Sequence, residues 1–163
     1  MNNYIKPVRL GLAMIMLALF FGVGMGVSFG VSEDTYKSYV SENVAKYPNV
    51  HDEKSNSKIW RYAQRAHFHS TGIAAFSLGL VVLTMFTTLS ATHKTWTSFL
   101  IGLGGLYPLS WYLMFYLAPT IGRSAAHSHI MTELITYVGV GGLLLGMLML
   151  SMNLFLGMFE GDH

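Results

Sequence analysis

Leu10 to Val31 runs for 22 residues without a charged side chain. At about 1.5 Å of rise per residue, a helix over that run crosses a hydrocarbon core of roughly 30 Å. Lys6 and Arg9 stand just before it, as in a secretory leader, but the run is long for a cleaved signal and no clear small-x-small site precedes Ser32. It reads as a retained membrane span. Three further apolar runs bring the count to four, at about 10–31, 63–89, 96–117 and 124–158.

The intervening segments punctuate these spans. Residues 32–58 form a polar loop in which Tyr36 to Tyr47 is expected as a short interfacial helix ended by Pro48, and His51 reads as a solvated residue. Charged first turns from Ile59 lead into the second span. Ser90 to Thr95 is a polar turn, Pro108 predicts a kink or local widening inside the third span, and Pro119 closes it. The fourth span is expected to begin as a continuous helix near Arg123. The fold class is therefore all-α: one transmembrane domain over 1–163, an integral-membrane four-helix bundle built as two tandem helical hairpins.

Composition agrees with that class. Only 11% of the 163 residues are charged and 52% are hydrophobic, against roughly a quarter charged in a soluble domain. The net charge of +2 comes with no basic run or stripe, which argues against a nucleic-acid partner. The absence of cysteine excludes disulfides, thiolate iron–sulfur clusters and covalent c-type haem.

Against this apolar background, two histidine pairs stand out. Arg61-Tyr62-Ala63-Gln64-Arg65-Ala66-His67-Phe68-His69 heads the second span, and Arg123-Ser124-Ala125-Ala126-His127-Ser128-His129 heads the fourth. Ionisable groups inside a bilayer are costly and mark binding sites by default. In an up-down bundle, spans two and four would lie diagonally opposite, about 14 Å apart, a separation suited to a porphyrin held edge-on between imidazoles. Histidines two apart on one helix point some 200° apart and cannot chelate one ion together. The pairs His67, His69, His127 and His129 thus point to one or two b-type haems. Arg65 and Arg123, each one turn nearer the water, and Arg61 beyond them are candidate propionate partners, with interfacial anchoring the alternative. His129 and Glu133 are four apart, which keeps a copper, iron or zinc site as the second reading for the same histidines.

Ala66-His67-Phe68-His69-Ser70, followed by a small glycine-containing apolar helix, resembles the haem-bearing His-x-His helix of heme-copper oxidase subunit I and of small stand-alone four-helix relatives. The resemblance implies two haems on opposite faces of one helix. His129 with Glu133 is similar, more faintly, to the histidine-and-glutamate helix of nitric-oxide reductases, which implies a non-haem iron there. No three-histidine copper site can be assembled, so oxygen reduction is not among the expectations.

Taken together, these features predict a haem-binding electron-transfer protein of the bacterial cytoplasmic membrane. Lys6, Arg9 and Lys94 fall on the cytoplasmic side and the histidine pairs on the outer side. A quinol or a redox protein is the expected partner, within a homo-oligomer or a larger membrane complex. Glu133 inside a span is a proton carrier, a ligand partner or a protonated group bonded to Thr132, Thr136 or Tyr137. The glycines of the fourth span either admit a porphyrin face or allow close helix contact.

Overall fold

In a computed structural model, which describes residues 2–161, the chain is an all-α membrane bundle with no β-strand among the described residues. The tail residues Asp162 and His163 lie outside them. A short helix α1 (Asn2–Ile5) and a 3-10 turn lead into α2 (Arg9–Lys46), followed by α3 (Ser55–Met85), α4 (Ala91–Leu103), α5 (Tyr107–Ile121), α6 (Arg123–His127) and α7 (Ile130–Leu156). Four stretches are long and apolar enough to cross a membrane: Lys6–Lys46, Ser55–Met85, Ala91–Ile121 and Ile130–Leu156.

The first helix does not stop where its apolar run stops. Ser32 has non-helical dihedrals (φ −139°, ψ 31°), and α2 bends there and continues to Lys46. The expected interfacial helix is thus the bent continuation of the first span. An exposed Glu33–Lys37 ion pair of 2.9 Å bridges its first turn. Ser28 and Tyr36 hydrogen-bond across the bend at 2.8 Å, closing a separation of about 12 Å along a straight helix. Val40 at the centre of this arm is buried with Ile59, Phe115 and Ala118.

The third span is interrupted near Pro108, where a kink or local widening was expected, but by tightening. Gly104–Leu106 is a 3-10 turn between α4 and α5, and Pro108 sits at the start of α5, where a missing N–H costs least. Pro119 lies inside the last turn of α5, which runs on to Ile121.

Packing departs from a square up-down bundle. Span two packs on spans one and three, and span three packs on all the others, span one included, whereas span four makes its main contacts with span three. The helix α3 buries a stripe of small residues, including Ala63, Ala66, Ser70, Ala74 and Ser77, recurring every three or four positions. Span four approaches through its glycines. A Cβ on Gly139 would stand 2.7 Å from the Tyr107 nitrogen, one on Gly142 2.7 Å from the Leu103 side chain, and one on Gly146 2.7 Å from the Ile101 nitrogen. These glycines serve helix contact.

Gly139→Leu is accordingly expected to destabilise the protein by about 1–3 kcal/mol, because the backbone of Tyr107 cannot give way. A Cβ on Gly141 meets nothing within 4 Å, so Gly141→Leu should leave the thermal midpoint in detergent unchanged.

Candidate functional site

The two histidines of α3 turn toward different neighbours. His67 faces span one, its Nδ1 standing 2.7 Å from the Gly22 carbonyl. Since a carbonyl only accepts, Nδ1 carries the proton, and in the neutral ring Nε2 is then the nitrogen with the lone pair. The ring lies against Gly26, where a Cβ would come within 2.7 Å of it, so the spacing Gly22-x-x-x-Gly26 makes a groove that admits an imidazole. One turn along, Ser70 donates to the Ala18 carbonyl at 2.6 Å.

His69 faces span three instead. Its ring centre lies 5.3 Å from that of Tyr107 and 5.8 Å from that of Trp111. Trp111 also meets Tyr62 at 5.6 Å and carries the Arg65 guanidinium over its ring at 4.7 Å. Tyr62, Arg65 and His69 thus form one face of α3 packed on a single indole, a cation–π contact included.

The second pair is not on one helix, which corrects the continuous fourth span. The chain turns at Gly122, whose φ of +85° suits glycine, runs through the short α6 and leaves helical geometry at Ser128 and His129. His129 (φ −66°, ψ 131°) is the N-cap of α7, its Nδ1 accepting the Met131 N–H at 3.3 Å. Thr132 braces the break by donating to the Ala126 carbonyl at 2.9 Å. The 200° separation argued for a helical pair therefore does not apply to His127 and His129. His127 is exposed, while His129 has given its Nδ1 lone pair to the cap.

The arginines have different surroundings. Arg123 forms an ion pair with Asp52 at 2.7 Å, Arg65 lies on Trp111, and Arg61 is exposed. His51 is not a solvated residue as expected. It is half-buried and donates from Nε2 to the Pro119 carbonyl at 2.9 Å, at a helix end where carbonyls lack helical partners. Its Nδ1 is buried without a partner. Sequence alone carries no signal for that contact across 68 positions.

Between α5 and α7 lies a cleft of about 150 Å³ lined by His127, Glu133, Tyr107, Trp111 and Tyr137. This is too small for a porphyrin, and Tyr107 and Trp111 occupy the ground between His69 and the fourth span. A porphyrin gripped between spans two and four does not fit. Nor do three residues among His, Asp and Glu converge as a metal-holding group among the described residues. No family model, curated protein or solved structure matches this chain.

Removing the His51 donor should leave the Pro119 carbonyl unpaired, so His51→Ala is expected to cost on the order of 1–3 kcal/mol in thermal unfolding. Asp52 accepts from the Ser55 hydroxyl and the Lys54 amide and faces Arg123, which together hold its carboxyl below the usual range. A carboxyl depressed in the folded state stabilises it above the ordinary value of about 4, and that contribution fades as pH falls through the folded value. Protection of the amides of residues 48–55 against hydrogen exchange, relative to their intrinsic rates at each pH, should therefore fall on acidification below about pH 4. Asp52→Asn should remove that loss of protection.

Proposed function

We propose that this chain is a b-type haem protein of the bacterial cytoplasmic membrane that takes part in electron transfer, with its long-loop end outward. The observation that carries the reading is the state of His67. A metal-binding imidazole ordinarily donates its other ring N–H to a carbonyl or carboxylate, which fixes the tautomer and raises the basicity of the free nitrogen. The Gly22 carbonyl holds Nδ1–H in that way. Nε2 of the neutral ring then offers a lone pair with no protein donor.

The surroundings suit a macrocycle at the bundle surface. Phe68, 5.1 Å from the His67 ring and 64% exposed, and Val23 and Val27 on span one present apolar surface there. Arg61, exposed toward the water, is the candidate cation for a propionate, whereas Arg65 is engaged on Trp111. A further ligand to the iron would have to come from outside this chain, which is the reason to place the protein in a homo-oligomer or a larger complex. Bound haem supplies one-electron exchange. The chain's own residues fix the imidazole, exclude water and neutralise a propionate.

An absorption spectrum of detergent-purified protein, oxidised and then reduced with dithionite, tests this. The expected result is a Soret shift with split visible bands. His67→Gln, which keeps a donor for Gly22 but loses the imidazole, should lose most of the haem, whereas His129→Ala should retain it. A colourless protein, or full haem in His67→Gln, overturns the reading. Stoichiometric copper or zinc in a colourless protein would favour the metal-handling alternative.

A further inference from the structure

We infer that the cleft between α5 and α7 binds the head ring of a lipid-soluble quinone or quinol. Its volume of about 150 Å³ is room for one six-membered ring, well below the roughly 300 Å³ at which pockets for drug-sized ligands begin. A ligand held there leaves most of its mass outside.

The polar groups in the wall fall into two sets. Ser110, Thr132 and Thr136 each donate to a backbone carbonyl, at 2.7, 2.9 and 2.8 Å, so their protons are already committed. Trp111 is different: its indole N–H is buried and has no acceptor. Leaving such a donor unpaired costs on the order of 1–3 kcal/mol, which a ligand oxygen would recover. Glu133 and His127, lining the same cleft, are acceptors for ligand hydroxyls.

A ring whose two oxygens interconvert between carbonyl and hydroxyl complements both kinds of group. The carbonyl form accepts from Trp111, and the hydroxyl form donates to Glu133 or His127. The rim carries Tyr137, 69% exposed on a membrane span, so the cleft opens toward lipid. That favours a ligand with an apolar tail, which reaches the site by lateral diffusion and leaves the tail in the bilayer. The choice of a quinone among ring-shaped ligands rests on the redox reading above. Binding itself needs no haem.

Calorimetric titration of decyl-ubiquinone into the full chain in detergent tests the inference. Saturable one-site binding is expected. It should weaken at least tenfold in Glu133→Gln and in Thr136→Leu, which fills the cleft, and remain unchanged in Tyr116→Leu on another face of α5. His127→Ala, at an exposed position, supplies a further variant should either of those fail to fold. Heat that does not saturate, or equal affinity in all variants, assigns the signal to partition into micelles and overturns the proposal. A colourless protein that still binds saturably leaves this inference standing while the haem reading falls. A haem-loaded protein with no saturable binding does the reverse.

Discussion

The contact of α3 with span one is the interaction on which the rest of the molecule depends. In hydrocarbon there is no hydrophobic drive for two helices to join, so association rests on close van der Waals approach and interhelical hydrogen bonds. Both are present here. Small buried residues at Ala63, Ala66, Ser70 and Ala74 let α3 come near, and His67 and Ser70 then reach the carbonyls of Gly22 and Ala18, one turn apart on α2. Neither bond forms unless the backbones are close, and a Cβ on Gly26 would collide with the imidazole. Histidine position and helix packing are therefore the same fact.

Span three completes the arrangement and decides what the histidines can do. Its Trp111 takes up Tyr62, Arg65 and His69 on one side and lines the cleft with His127 and Glu133 on the other. The ground on which a porphyrin was expected is thus occupied by aromatic side chains. What remains of the four histidines is a division of labour: His67 with a free Nε2, His69 stacked, His127 exposed and His129 capping a helix. The cleft and the His67 surface are separate, and each presents polar groups that the chain itself leaves unsatisfied.

Four spans were legible because an apolar run of about 20 residues is a long signal, averaged over many side chains. The different facing of His67 and His69 was legible too, since it follows from helical pitch alone. Other features depend on partners far along the chain. Continuation of α2 past Ser32 was masked by Glu33 and Asp34, although Tyr36, Tyr39 and Val40 carry the three-and-four spacing of an amphipathic helix. The break at Ser128 turns on one residue adopting an extended conformation, and a histidine in the sequence does not announce that it will serve as a cap. The placement of span three between two and four is set by matched shapes at Gly139, Gly142 and Gly146, and periodicity within one helix contains no information about its neighbour.

The bend at Ser32 has a mechanical meaning. Because α2 turns there and does not end, the arm beyond it and the membrane-crossing part are one covalent rod with a single elbow. Val40 clamps the outer limb to Phe115 and Ala118, and Gly22 on the inner limb holds the imidazole of His67. Any displacement of the arm that is not absorbed at Ser32 must therefore shift the Gly22 carbonyl as well, which ties the polar segment to the His67 ring through a single helix.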